Sequence, residues 1–267
     1  MIQFIFLCCL FFVTSSCAPF VDSPFSDQLL RPDRNINQKS IDSLGDIEAD
    51  GTIRIALFAD PHQNYKDLDR VLFEINQETA IDFVVGLGDY TNSGYNLEYD
   101  QFISALDSIR FPRMMVIGNH DSVGAGPELF KKAFGPVNFY FESTSHRYIF
   151  FNGNNWENPD DFDPSWLKSA VDGTSKKIIL FSHVPIMDAE RFKDDVLATM
   201  QGIIADPKVQ LSLNGHNHVY QLTTSNSTIL LQVGRVEGHH WVILEIQGNN
   251  LCIKRMDNSE SDCRTLK

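Results

Sequence analysis

Positive charge is scarce in this chain. Its 267 residues hold 22 Lys and Arg against 35 Asp and Glu, a formal net charge of −13. Binding to nucleic-acid backbones depends on Lys and Arg that displace counterions, so no nucleic-acid polymer is expected as a partner. Anionic lipid surfaces would repel the chain for the same reason. Attraction for an anionic substrate must then be local, and bound metal ions are a local source. Cysteine is sparse, with five residues, and repeats and low-complexity tracts are absent. With 43% hydrophobic and 21% charged residues, the composition is that of a globular protein with one large, well-buried core.

Long apolar runs are missing except at the start. Met1 to Val13 reads MIQFIFLCCLFFV without a charge, and Thr14-Ser15-Ser16-Cys17 follows. A run too short to span a bilayer, followed by small residues, describes a signal peptide over 1–16, although the usual positive n-region is lacking. A small-residue tract ending in Cys resembles a bacterial lipobox, with Thr14 where Leu or Val is preferred. Export is expected, to the periplasm or as a lipoprotein attached to a membrane through lipidated Cys17. Cleavage removes Cys8 and Cys9. Cys252 and Cys263 then form an even pair that either bridges a C-terminal hairpin or stays as two thiols.

Residues 17–50 are polar with scattered apolar positions and read as a tether or N-terminal extension, with the domain proper at 51–267. Within the domain, Ile53–Ala59, Phe83–Leu87, Met114–Ile117, Ile178–Phe181 and Val209–Leu213 are short, nearly continuous apolar runs, as expected of strands covered on both faces. Amphipathic stretches at Asn64–Glu78, Leu97–Ile109, Pro127–Phe134, Pro164–Val171 and Lys193–Ala205 read as helices, with Asn64, Asp163 and Asp188 as nearby caps. The tail changes to consecutive strands at Val219–Thr223, Thr228–Val233, Trp241–Ile246 and Leu251–Met256. The architecture inferred is α/β, with sheet layers sandwiched by helices.

The ends of the apolar runs carry the chemistry. In order they finish at Asp60-Pro61-His62, Gly88-Asp89, Gly118-Asn119-His120-Asp121, Ser182-His183 and Gly215-His216-Asn217-His218. Open α/β sheets place ligands at the carboxyl ends of their strands, so the five endings can converge. Asp60 to Asp89 is 29 residues and Asp89 to Asn119 is 30, each about one strand–helix–strand unit. In extended chain the i, i+2 pairs Asp60/His62 and His216/His218 can each present two ligands to one site. Each ending alone is ordinary turn chemistry; the ordered set of five is not.

This series resembles the calcineurin-like metallophosphoesterase family, over about 160 residues between first and last motif. The resemblance implies a four-layer αββα sandwich and two metal ions, divalent or trivalent. It assigns Asp60, His62, Asp89 and His218 to one metal and Asp89, Asn119, His183 and His216 to the other, with Asp89 bridging. Mixed carboxylate and imidazole ligands suit Mn, Fe or Zn. The reaction implied is hydrolysis of a small phosphate ester, with a metal-bridging hydroxide attacking phosphorus. Asn119, His120 and His183 would meet the substrate. His120 would stabilise or protonate the leaving-group oxygen, and Asp121 would hold the His120 tautomer or else cap a loop.

Purple acid phosphatases share the pattern but place a Tyr three residues after the Gly-Asp aspartate. Here that position is Asn92, which disfavours that branch. Substrate choice falls to the loops Tyr90–Asn96, Ser122–Gly126, Asn152–Asp161 and Pro185–Phe192, where Tyr95 and Trp156 are candidates to stack on a base or sugar, or to pack locally. Of the remaining histidines, His146 reads as a surface residue, as do His239 and His240 in a loop near the rim. Two alternatives stand beside the leading reading. One is a phosphodiesterase of cyclic-nucleotide or lipid head-group type. The other is a metal-stabilised binding or scaffold domain without turnover, whose signature would be loss of ligands or of His120.

Overall fold

The computed structural model describes residues 23–267, so the expected signal peptide and Cys17 lie outside the described residues. Two six-stranded sheets face each other. The first has the order β12-β11-β10-β1-β2-β3 and the second β4-β5-β6-β7-β9-β8. In the first sheet β1 (Thr52–Phe58), β2 (Phe83–Gly86) and β3 (Arg113–Met115) are parallel, and β10 (Val242–Gln247), β11 (Asn250–Arg255) and β12 (Ser261–Thr265) extend it antiparallel. In the second, β5 (His146–Phe151), β6 (Lys177–Ser182), β7 (Val209–Asn214) and β9 (Thr228–Gln232) are parallel, with β4 (Phe139–Glu142) and β8 (Gln221–Ser225) as antiparallel edges.

Alternate residues of the central strands feed different cores, which explains why these runs are apolar throughout. Ile53, Ile55 and Leu57 of β1 pack between the sheets against Phe150, Phe181 and Leu213 of the second sheet. Ala56 and Phe58 face the other way, toward α2 (Tyr65–Gln77), α3 (Asn96–Leu106) and α4 (Gly126–Phe134). Ile149, Phe151, Ile178 and Leu180 of the second sheet pack on α5 (Pro164–Asp172) and α6 (Asp194–Ala205). The result is the expected four-layer αββα sandwich. Helix α2 buries Leu68, Val71, Leu72 and Ile75, the i, i+3, i+4, i+7 stripe of one helical face. Asn64 caps it by accepting from Asp67 N, and Asp163 caps α5 by accepting from Ser165 N and Trp166 N.

The described part of the 17–50 segment is docked on the domain. Leu29, Ile36 and Ile47 are buried, and α1 (Ile36–Asp42) lies along β3. The Asn37 amide donates to Met115 O at 3.1 Å and accepts from Met115 N at 2.8 Å, satisfying the open edge of β3 as a neighbouring strand would. Asp100 on α3 accepts from Leu30 N and Arg31 N, both at 2.9 Å. His146, read from sequence as a surface residue, is buried instead. Its Nδ1 lies 3.2 Å from Glu48 Oε1 in a pocket closed by this segment. Cys252 and Cys263 face each other across β11 and β12 and are joined as a disulfide. No helix among the described residues is long and apolar enough to cross a membrane.

Candidate metal centre

The carboxyl ends of β1, β2, β3, β6 and β7 meet along one rim, and the candidate ligands sit in the turns just beyond. These turns are tight. Asp60, His62, Asp89, His216 and His218 all adopt positive φ, between 46° and 79°. That region is costly for residues with a Cβ and persists where surrounding structure enforces it, typically at functional sites. Two glycines make the approach feasible. A Cβ on Gly118 would stand 2.1 Å from Asp89 N, and one on Gly88 would stand 2.5 Å from His183 Nδ1.

One cluster comprises Asp60, His62, Asp89 and His218, with ligand atoms all within 4.8 Å of one another. His62 Nδ1 lies 3.3 Å from the Thr91 carbonyl, which as acceptor fixes the proton there and leaves Nε2 free. That free nitrogen is 3.4 Å from His218 Nε2, and His218 Nε2 is 3.6 Å from Asp60 Oδ1. The second cluster comprises Asn119, His183 and His216. Asn119 Oδ1 is 3.0 Å from both His183 Nε2 and His216 Nδ1, which are 3.2 Å apart. His183 Nδ1 donates to Leu87 O at 2.7 Å, so its Nε2 also presents a lone pair. Asp89 joins the two clusters. Its Oδ1 accepts from His120 N at 2.9 Å, while Oδ2 lies 3.3 Å from His183 Nε2 and 3.8 Å from His62 Nε2.

Lone pairs converging on lone pairs repel unless a cation lies between them, and this donor set fits one. Asp60 and Asp89 are buried, and among the described residues neither forms an ion pair with Lys or Arg. Buried carboxylates without such a partner call for a bound cation. Without a cation between them these groups hold protons instead, which a bound ion would displace. Burial pushes the Asp60 carboxyl up to about 7 against the pull of His183. Burial also works to raise Asp89, but the His183 imidazole outweighs it and holds Asp89 well below the usual carboxylate range. His183 in turn is disfavoured as a cation by burial yet drawn up to about 9 by Asp89. Burial depresses His62, His216 and His218, with His216 brought down to about 4, so all three offer neutral nitrogens near pH 7.

These features coincide with a family match. The model of the calcineurin-like phosphoesterases covers residues 53–220. The chain belongs to the calcineurin-like phosphoesterase family. Solved structures repeat its fold at low identity. A dimetal phosphatase from Danio rerio aligns with a TM-score of 0.64 at 14% identity, over 80% of this chain and 99% of that one. A purple acid phosphatase from yellow lupin (Lupinus luteus) seeds aligns with a TM-score of 0.64 at 13% identity, over 80% of this chain and 54% of that one. GAP50, the anchor in the inner membrane complex of Plasmodium, aligns with a TM-score of 0.62 at 14% identity, over 81% and 89%. None of the curated proteins searched matches the sequence.

Within this candidate centre, His120 stands at the open side of the first cluster, its ring edge-on to His62 at 4.8 Å. The expectation that Asp121 holds the His120 imidazole is corrected. His120 Nδ1 bonds to the Asn92 carbonyl at 2.8 Å. Asp121 is fully buried and accepts from Tyr90 N, Thr91 N and Gly118 N, each at 2.9 Å, and from Thr91 Oγ1 at 3.0 Å. The backbone direction after Asn119 turns the Asp121 carboxylate inward, where it ties the Asp89 turn to the Gly118 turn. Its sequence alternative, a loop-capping carboxylate, describes this placement. Tyr90 also points inward, stacked on Phe102 at 4.1 Å, with its hydroxyl accepting from Gly88 N at 3.1 Å. His239 and His240 stay outside the cluster, nearest to Asp67 and Asp257 at 3.8 and 3.6 Å.

Sequence reasoning missed the groups that orient the ligands. The Thr91, Leu87 and Asn92 carbonyls are backbone atoms, so no residue pattern announces them. Glu98 had a weak signal, its position three residues after the helix cap Tyr95. It is buried and accepts from Asn92 N, Ser93 N and Tyr95 N, at 3.1, 3.1 and 3.0 Å, which fixes the loop whose carbonyl holds His120.

Proposed function

We propose that the protein is a dinuclear-metal-dependent hydrolase of small phosphate esters. The observation that carries this reading is Asp89, whose Oδ2 lies between the two clusters of convergent lone pairs. Asp60, His62, Asp89 and His218 would hold one ion, and Asp89, Asn119, His183 and His216 the other. The mixed nitrogen and oxygen donors suit Mn, Fe or Zn. When bound, the ions supply Lewis-acid charge neutralisation and water activation.

The chain's own residues do the rest. The Asn119 amide sits where a phosphate oxygen would approach the second cluster, while His183, fully buried, would meet only the ion. His120, with Nδ1–H committed to the Asn92 carbonyl, can in its imidazolium form present Nε2–H to the leaving-group oxygen and give it that proton. Export accompanies this proposal, to the periplasm or to a membrane through lipidated Cys17. The Cys252–Cys263 disulfide supports an oxidising compartment.

The test is hydrolysis of p-nitrophenyl phosphate and bis-p-nitrophenyl phosphate by the full chain, with chelator and with added Mn, Zn or Fe, alongside elemental analysis. Turnover lost to chelator and restored by metal is the expected result, and the preferred ester separates monoesterase from diesterase. Absence of both turnover and bound metal overturns the reading.

A further inference from the structure

Two loops that leave different strands are locked together beside the metal centre. Residues 152–161 follow β5, and residues 184–193 follow β6 directly after His183. Arg191 joins them. Its Nη1 and Nη2 form a two-pronged ion pair with Glu157 at 2.8 and 2.7 Å, and its carbonyl accepts from Asn155 Nδ2 at 2.7 Å. The Trp156 indole lies over the guanidinium, with Cζ 4.4 Å from the ring centroid. Phe162 and Phe192 stack at 5.7 Å and 8° between the same two segments.

This unit is seated against the candidate ligands. Asn154 Nδ2 donates to Ile117 O at 3.0 Å, two residues before Asn119. A Cβ on Gly153 would meet Val184, the residue after His183, at 3.3 Å. Trp156 is two residues beyond Asn154, a span of at most about 7 Å.

The obvious role for an arginine here, clamping phosphate, is closed. Arg191 is buried and both of its terminal nitrogens are committed to Glu157. What the unit presents outward is the indole, which rests one face on a fixed cation and is 61% exposed. A flat aromatic face held rigid by a cation beneath it, on a loop tied to the turns of the candidate ligands, matches a planar ring on the organic group.

We propose that Trp156, backed by Arg191, is the subsite for the organic group of the phosphate ester, and that this group is a nucleobase-like planar ring. The proposal deepens the phosphoesterase reading and rests on it for the reacting end of the substrate. Esters of small aliphatic alcohols would leave the indole bare and gain nothing from it.

The test uses the full chain loaded with metal and compares adenosine monophosphate with glycerol phosphate. Trp156→Ala should raise KM for adenosine monophosphate about tenfold, with kcat within about twofold, and leave KM for glycerol phosphate unchanged. Trp156→Tyr, which keeps a stacking face, should restore most of the loss. An equal effect on both esters, or none on either, overturns the proposal. A binding measurement stands apart from turnover. The chain has three tryptophans, Trp156, Trp166 and Trp241. Saturable quenching of their fluorescence by adenosine is expected, and its loss in Trp156→Ala. Quenching that is absent, or that survives in the variant, overturns the subsite. Quenching that behaves as expected in a protein hydrolysing neither ester supports the subsite while the phosphoesterase reading falls.

Discussion

Asp121 accepts the backbone N–H of Gly118 on one oxygen and that of Thr91 on the other, each at 2.9 Å. One buried carboxylate therefore sets the spacing between the turn carrying Asp89 and the turn carrying Asn119. Asp89 and Asn119, one from each candidate cluster, come from those turns, so part of the spacing between the clusters is built into a residue that touches neither cluster's open side.

Asp121→Ala leaves three backbone donors, Tyr90 N, Thr91 N and Gly118 N, buried without an acceptor, while Thr91 Oγ1 keeps the His120 carbonyl. Each unsatisfied group costs about 1–3 kcal/mol, so a loss of at least about 3 kcal/mol is expected in denaturant unfolding. Metal content should fall with it, because Asp89 and Asn119 lose their fixed spacing. A variant that unfolds like the parent and keeps both metals would show that the staple is dispensable.

His120 and Asp89 should separate chemistry from metal binding. His120→Asn is expected to cut turnover by about 10²–10⁴-fold at unchanged metal content. Asp89→Asn should lose metal, measured by elemental analysis. Full occupancy in Asp89→Asn would remove the bridging role, and undiminished turnover in His120→Asn would remove the proton donor.

Chelation should destabilise the fold itself. Ions bound at a hundred times their Kd add about 2.7 kcal/mol, and about 2–4 °C in Tm per kcal/mol is typical at this size. A fall of roughly 5–10 °C on stripping is expected, recovered by adding metal. A Tm indifferent to chelator would mean that the folded chain holds no tightly bound ion.

Acid should loosen the docked N-terminal segment at Glu48. Burial raises this carboxyl, but hydrogen bonds from Ser143, from Ser145 N and from His146 outweigh it and bring it down to about 2 from an ordinary 4.5. The unfolded chain therefore binds more protons between about pH 4.5 and 2, and the stabilisation present above that window is lost as pH falls through it. Glu48→Gln should remove on the order of 1–2 kcal/mol at neutral pH and flatten the acid limb of the parent's stability curve. Parallel curves for variant and parent would exclude the latch.

Much of the fold was open to reading because the central strands are covered on both faces. Ile55, Leu57, Ala56 and Phe58 must all be apolar, whichever core each one faces. The elements that escaped are those with a solvent side. β12 is the polar stretch Ser-Asp-Cys-Arg-Thr, mostly exposed, and its register comes from β11 and the disulfide. β4 is a short, half-exposed edge strand. Helix α1 carries too few apolar residues for a pattern, and it docks through one amide, Asn37, on one strand edge. His146 lay next to the β5 run, yet its burial depended on Glu48, 98 residues away.

The amino-acid sequence by itself determined an α/β chain and which strand ends carry metal-binding side chains, in what order; the resemblance of that series to a known family implied the four-layer sandwich. The strand ends follow from local rules, since strand periodicity and strand-end chemistry are written in consecutive residues. Only the tertiary structure decided that Asp89 Oδ2 faces both clusters, that Asp121 turns inward while the Asn92 carbonyl takes His120, and that Arg191 is spent on Glu157 beneath Trp156. Each depends on backbone carbonyls, positive-φ turns and partners tens of residues apart. Such contacts exist only after two sheets have packed, because distance in space is then set by the core and not by position along the chain.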